Sequence, residues 1–508
     1  MGNHGTKRKR EEEDSIECDD TNSVDLHTPK RKRIKSTSKY IYQTLFLNGE
    51  NSDVTILALN KEWKLHRHYL CQCGYFNSMF NGNWLESTQP TVEVDILDEN
   101  IDETSLKIAF GSLYKDDVIF KPVELVKVLA AATFLQLEGL IQHCVDMMTD
   151  TMSGEIVVEY YNACQRYGLV KNKQLALNWL LHNIMSPPNF FVLKKISCEL
   201  MIELITSPDL WVLQVEMDVY SLLRKWIFLR RKPSWTGRCK ELLVDVDNFY
   251  KNSFKEKKLC YLELPESKDC LPVFQKVRWQ HVINDASSLK ALKCEKVVPE
   301  DWLNPLYKHQ WFYRLQTEQN IDKGPSDNLE EDIFLKESTR YGRMLLRPGE
   351  FCWRFIGFNY GFDLLLSYIN GMVLVKRNCG NNCSGSIGLQ DTRQIMLRLT
   401  AASLDNKGCI LTEKTTGIQC LKLTRDEECV MLRVQPETVF PLYVTLNVLV
   451  YTPLPDYPCP QLDIKTPSTI DYTDVAVQTI GQTETIVNTT TNDTETDISS
   501  GESETETE

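Results

Sequence analysis

The chain opens its patterned region at Tyr40–Leu47, an aromatic and aliphatic run with helical spacing. Asp53–Leu59 then reads as a strand, Asn60–Lys61 as a turn and Trp63–Leu65 as a returning strand. Leu70–Phe80, apolar at 70, 76, 79 and 80, predicts one helix, and Thr91–Leu97 alternates as a strand with one buried face does. From Asp102 to Met148 the period becomes helical, with stripes at Leu106/Phe110/Leu113, at Leu125/Val128/Leu129/Ala132 and at Leu137/Leu140/Ile141/Cys144/Met148. Helical patterns continue to about residue 320: Val157, Tyr160, Tyr161, Cys164 and Tyr167 share a face, and Leu175, Trp179, Leu180 and Ile184 another. That second stripe is closed by Ser186-Pro187-Pro188. Glu199–Ile205 and Met217–Leu229 predict two further helices, and residues 321–333 read as a linker. From Tyr341 to Thr452 the texture turns to β. Alternating runs at Phe351–Phe355, Met372–Lys376, Ile395–Thr400 and Tyr443–Val450, separated by turns such as Gly380-Asn381-Asn382, predict a small antiparallel sandwich or barrel.

Composition bounds what this pattern can be. The 508 residues allow about three domains, and 42% hydrophobic with 25% charged residues is the balance of a soluble globular protein. Residues 1–39 and 466–508 lack periodicity and are too polar to offset the entropy of ordering, so both read as disordered tails. They differ in charge. The first holds ten Lys or Arg against eight Asp or Glu; the second holds ten Asp or Glu and no basic residue. Much of the net charge of −13 therefore sits in the second tail, and the mildly acidic body argues against broad nucleic-acid binding, which needs a basic face. Seventeen scattered cysteines, with no apolar signal at the N-terminus, predict free thiols in a reducing compartment. No run reaches the ~18 uncharged apolar residues of a spanning helix.

Several segments carry a family resemblance. Asp53-Val-Thr-Ile56, Leu65-His-Arg-His-Tyr-Leu70, Tyr75-Phe-Asn-Ser-Met-Phe80, Leu113-Tyr-Lys-Asp116 and Leu129–Leu137 occur in order and resemble a BTB domain. Cys73-Gly74 departs slightly from the family's usual Ala-x-Ser. Glu199–Ile205, Asp209-Leu-Trp-Val212, Asp218-Val-Tyr220 and Arg224-Lys-Trp226 resemble a BACK domain. The kelch repeats that commonly follow are absent from the sequence. Instead Gly342-Arg343, Gly349–Arg354, Gly357–Leu364, Lys376-Arg-Asn378, Cys383–Ser386 and Phe440-Pro-Leu-Tyr443 look like the C-terminal region of the germ cell-less family. The resemblance implies an α+β multidomain chain: an α/β BTB domain at 40–150, an all-α BACK-like domain at 151–320 and a β-rich domain at 335–455, between tails 1–39 and 466–508. It also implies an adaptor that acts through cullin-3, found at or in the nucleus.

The candidate sites follow from that reading. BTB domains that bind cullin-3 share a hydrophobic-x-Glu triplet after the Phe-x-x-Met-Phe helix; here it is Trp84-Leu85-Glu86, with Met79 beside it, an aromatic anchor and a rim carboxylate. The bland alternative is a packed tryptophan and a solvated carboxylate. Tyr40, Leu45, Phe46 and Leu47 suit the isologous interface of a homodimer, or else pack on their own domain. Lys7-Arg8-Lys9-Arg10 and Lys30-Arg31-Lys32-Arg33 match nuclear-import signals, with a solvated charge run as the alternative. Gly2, in Met1-Gly-Asn-His-Gly-Thr6, fits a myristoylation site, which with the adjacent basic cluster would give peripheral membrane contact at the nuclear envelope; an unmodified tail fits equally. Cys71-x-Cys73 and Cys379-x-x-x-Cys383 fall short of a four-ligand zinc site, and His66 and His68 read as fold residues. No cofactor or catalytic motif stands out. The expected function is a substrate adaptor of a cullin-3 RING ubiquitin ligase with a role in germ-cell formation, reading its protein substrate through 335–455. The rival is a nuclear-envelope or lamina-associated scaffold, or a transcriptional co-repressor, without ligase function.

Overall fold

The computed structural model describes residues 36–460, apart from 83, 187–189, 254–258, 358–361, 379–389, 426 and 436–437. The chain forms two compact units: the first runs to Ile184 and takes in Leu404–Ile410, and the second comprises Met185–Ser403 and the chain from Leu411 onward.

The first unit begins with α1 (Thr37–Ile41) and a π-helical turn (Tyr42–Leu47), followed by β1 (Val54–Ala58) and β2 (Lys61–Leu65). β1 and β2 pair antiparallel, Val54 opposite Leu65, and β3 (Thr91–Glu93) joins β1 in parallel, giving the order β2-β1-β3. Alternation places Val54, Ile56 and Ala58 in the core, as strand period 2 requires. The expected helix over Leu70–Phe80 is two pieces, α2 (Arg67–Leu70) and α3 (Gly74–Asn81). The break lies where Gly74 meets the end of a later helix: a Cβ there would stand 2.4 Å from Gln136 Oε1. The expected strand over Thr91–Leu97 stops at Glu93, and Leu97 is 93% exposed.

Four more helices fill the core: α4 (Glu103–Ser112), α5 (Leu125–Leu135), α6 (Glu138–Thr151) and α7 (Val157–Arg166). Asp102 caps α4 by accepting from the Ser105 backbone N–H at 2.8 Å, while Ser105 Oγ accepts from the Asp102 N–H at 3.0 Å, a reciprocal capping box. α5 is apolar on almost every side and buried, ending at Gln136 in the left-handed region. α8 (Val170–Asn183) closes the unit. The Trp179 indole donates to the Lys407 carbonyl at 3.0 Å and the Asn183 amide to the Gly408 carbonyl at 2.9 Å, which accounts for segment 404–410 in this unit. The boundary at Ile184 thus falls inside the stretch expected as one helical domain, 151–320.

The second unit continues the helices: α9 (Phe190–Lys195), α10 (Cys198–Thr206), α11 (Met217–Arg231), α12 (Cys239–Ser253), α13 (Leu271–Gln275), α14 (Trp279–Val282), α15 (Ala286–Glu295) and α16 (Glu300–Glu318). Residues 321–333 are not a free linker. Asp322 is buried against the fully buried Arg393, 3.3 Å away, and α17 (Glu331–Glu337) begins within the stretch.

Eight strands follow: β4 (Thr339–Leu345), β5 (Phe351–Gly357), β6 (Phe362–Ile369), β7 (Met372–Arg377), β8 (Thr392–Leu404), β9 (Ile410–Thr424), β10 (Glu428–Arg433) and β11 (Leu442–Leu449), counted among the described residues. They form two four-stranded sheets, β10-β7-β6-β5 and β4-β11-β8-β9, with antiparallel pairing in every register resolved. Trp353, Leu366 and Val375 from one sheet and Leu397, Leu399 and Val444 from the other share one core, so the sandwich expectation holds. Gly342 on β4 has a backbone reason: a Cβ there would stand 2.1 Å from the Val212 carbonyl. Arg340 beside it is 2% exposed and forks onto Glu216, Nε at 2.7 Å and Nη2 at 2.9 Å, while Nη1 reaches the Ile205 and Ser207 carbonyls. Burial alone would raise the Glu216 pKa; the Arg340 charge and hydrogen bonds outweigh it and hold the carboxyl below its usual range.

Candidate docking surface on the BTB-type unit

The site is built around α3, which anchors itself by Phe76, fully buried and stacked on Phe80 at 5.5 Å. Met79 stands half-buried on the same helix. After Asn81 the chain turns at Gly82 and enters a 3₁₀ turn, Leu85–Ser87. The Trp84 indole lies across Gly82: a Cβ on that glycine would meet Trp84 Cδ1 at 2.5 Å and the Ser78 carbonyl at 2.9 Å. Trp84 is nonetheless 65% exposed and Leu85 79% exposed, and Glu86 stands half-buried beside them. Two large apolar side chains thus stand in water, one of them resting on a glycine. Burial raises the Tyr75 pKa, and the Asp95 and Glu86 carboxylates add to the rise.

The other expected residues are less gathered. Tyr40 (59%) and Leu47 (49%) are exposed and Leu45 is half-buried. Phe46 is instead 7% exposed, its ring 5.2 Å from both Tyr42 and Tyr114, so it is spent within its own unit rather than offered to a second copy. His66 is a fold residue: its ring nitrogens lie 3.1 Å from the Tyr114 hydroxyl and 2.9 Å from the Glu50 carbonyl. Gly2, the clusters Lys7–Arg10 and Lys30–Arg33, the Cys379/Cys383 pair and the acidic tail lie outside the described residues. Among the described residues no group of three or more His, Cys, Asp or Glu is placed to hold a metal ion, and no helix is long and apolar enough to cross a membrane. Every described cysteine is a free thiol.

In the second unit, motif residues on two strands and just past a third meet: Asp363 accepts from Arg354 Nε and from Asn378 Nδ2 at 2.7 Å. A groove of about 980 Å³ in the same unit is lined by Arg278 and Trp279 at the start of α14, by α17 and by Pro458–Pro460. The strand periodicity carries no signal of a groove built on helices. Nor does the sequence mark out Arg67, whose guanidinium donates to the Ser87 carbonyl at 2.6 Å and to that of Gln89. It stands within the BTB-like motif, and only the folded chain shows what its side chain reaches.

Comparison with known proteins decides the family. Residues 42–152 match the BTB/POZ domain. Germ cell-less protein-like 1 of Homo sapiens is 46% identical over 431 residues, 84% of this chain and 84% of that protein. This chain belongs to the germ cell-less family. Protein germ cell-less of Drosophila melanogaster is 34% identical over 472 residues, 88% of this chain and 83% of its own length. Germ cell-less protein-like 2 of Homo sapiens is 46% identical over 431 residues, 84% of this chain and 82% of that protein. Such coverage extends the germ cell-less relationship well beyond the BTB domain, so the helical region and the β-sandwich are part of it.

Proposed function

We propose that this germ cell-less-family chain is a substrate-specific adaptor of a cullin-3 RING ubiquitin ligase. One observation carries the reading: Trp84 and Leu85 stand exposed in a single turn of a BTB domain, with the Glu86 carboxylate next to them. Covering an aromatic and an aliphatic side chain supplies contact energy, about 25 cal/mol per Å² of apolar surface removed from water, and the carboxylate sets register against a basic partner group. In this reading the chain performs no chemistry itself. A homodimer, paired through Tyr40, Leu45 and Leu47, presents the surface twice, and the β-rich stretch 335–455 reads the protein substrate. Ubiquitin transfer then follows from effective concentration. The basic clusters at Lys7–Arg10 and Lys30–Arg33 support a nuclear location, and Gly2 next to the first supports attachment at the envelope. The family supports a role in germ-cell formation.

The test is capture of cullin-3 by the full chain and by a Trp84→Ala/Glu86→Lys variant. Binding by wild type and loss of at least about tenfold in a folded variant, as removal of a central anchor requires, supports the adaptor. A folded wild type that captures no cullin-3 sinks it, and the chain is then a nuclear-envelope scaffold or co-repressor.

A further inference from the structure

We propose that Arg67 is a positioning residue that holds the Trp84–Glu86 turn in the conformation its partner reads; this rests on the cullin-3 reading above. The turn Leu85–Ser87 contains no buried residue. A single 3₁₀ turn without buried apolar surface has little to keep it folded in water. Its own closures are short-range: the Ser87 N–H and hydroxyl both donate to the Trp84 carbonyl, at 3.2 and 2.7 Å, and the Thr88 hydroxyl to the Leu85 carbonyl at 3.3 Å.

Arg67 supplies what the turn lacks. Its backbone is fixed first: the Arg67 N–H donates to Asp53 Oδ1 at 2.8 Å, and the preceding His66 N–H donates to the Tyr114 hydroxyl at 3.1 Å. From that base the guanidinium reaches two carbonyls two residues apart, Ser87 through Nη1 at 2.6 Å and Gln89 through Nη2. Its carbon lies over the Phe80 ring, 4.6 Å from the centroid, which ties the clamp to the same helix that carries Met79. A planar fork with fixed N–H directions satisfies both carbonyls and stacks at once; an ammonium offers a point charge and cannot do all three. Trp84 resting on Gly82 pins the near side of the turn and Arg67 pins the far side. The cost of ordering these residues is thereby met on folding, so association does not bear it.

The experiment uses the full chain labelled with 5-fluorotryptophan, the Trp84 resonance being assigned by Trp84→Phe. Fluorine spectra and affinity for cullin-3 are compared for wild type, Trp84→Ala/Glu86→Lys, Arg67→Ala and Arg67→Lys. The expected result is a Trp84 resonance that shifts and broadens in Arg67→Ala while the other tryptophan resonances stay, with affinity about tenfold weaker from re-incurred ordering. Arg67→Lys restores neither. A merely structural role lowers the melting temperature and leaves the Trp84 resonance of the folded variant in place. Should Arg67→Ala not fold, Arg67→Lys, which keeps the charge and the methylene stem, decides between these outcomes. An unmoved Trp84 resonance with unchanged affinity in the folded Arg67 variant overturns the proposal, while loss of binding in Trp84→Ala/Glu86→Lys still upholds the cullin-3 reading. No effect of Trp84→Ala/Glu86→Lys on affinity removes that reading, and the Trp84 resonance then decides the positioning role alone.

Discussion

Phe46 and Leu47 are neighbours in one apolar run, and burial separates their roles. Phe46 packs between Tyr42 and Tyr114, whereas Tyr40 and Leu47 keep about half their surface in water. Deleting a buried aromatic leaves a cavity, so Phe46→Ala is expected to cost about 3–5 kcal/mol of stability, measured by chemical denaturation. Tyr40→Ala with Leu47→Asp removes little from the monomer, as surface changes do. If those side chains pair with a second copy, sedimentation velocity will show the double variant shifted to monomer at concentrations where wild type is dimeric. An unchanged oligomer size would move the interface elsewhere. The same residue-scale logic sorts the thiols. Burial pushes Cys144 and Cys270 up to about 12, which keeps them inert, while Cys239, Cys294 and Cys352 are exposed.

At the scale of elements, a buried ion pair helps to join α10, α11 and β4 in the second unit. Arg340 satisfies both Glu216 oxygens and the carbonyls of Ile205 and Ser207, so its removal strands a carboxylate and two acceptors in the interior. Arg340→Ala is therefore expected to cost about 3–5 kcal/mol. The double variant Arg340→Met/Glu216→Leu is expected to recover most of that loss, because a buried pair offsets its own desolvation poorly and an apolar pair needs no offset. Urea midpoints of the two variants decide it. A double variant no more stable than the single one would mean that the carbonyl contacts, rather than the charge pair, hold these elements together.

Across the whole molecule, two buried histidines set an acid limit. Burial holds His281 and His309 well below the ordinary value of 6.5, both at about 4. His281 keeps one ring nitrogen 3.0 Å from the Glu337 carbonyl, and the His309 ring stacks on Tyr457 at 5.5 Å. The folded protein thus binds these protons less readily than the unfolded chain. Stability contributed by the neutral rings is present above pH 6.5 and is lost as pH falls toward 4, by about 3 kcal/mol per histidine at full protonation. His309→Phe keeps the stacking surface and removes the titration. Its melting temperature is expected to match or exceed wild type at pH 7 and to fall less steeply between pH 6.5 and 4; an unchanged slope would show that other groups set the acid limit.

What the sequence determined by itself is what local periodicity and motif order encode. The β-hairpin at 53–65, the helical stripes from 102 to 320 and the β texture after 341 were legible, because side-chain period and turn chemistry are local properties, whereas the Trp84 triplet was marked only by family resemblance. The tertiary structure decided what depends on residues distant in sequence. The helix expected over Leu70–Phe80 is interrupted where Gly74 meets Gln136 at the end of α5, and the strand expected over Thr91–Leu97 ends with its pairing to β1, whose last bond runs from the Val94 N–H to the Leu57 carbonyl. The Asp322–Arg393 pair pinned the start of an apparent linker to the folded unit. The fork of Arg67 onto the turn after α3 belongs to the same class. Each is a contact of one side chain or backbone group with a partner that only the folded chain brings near, and periodicity carries no record of such partners.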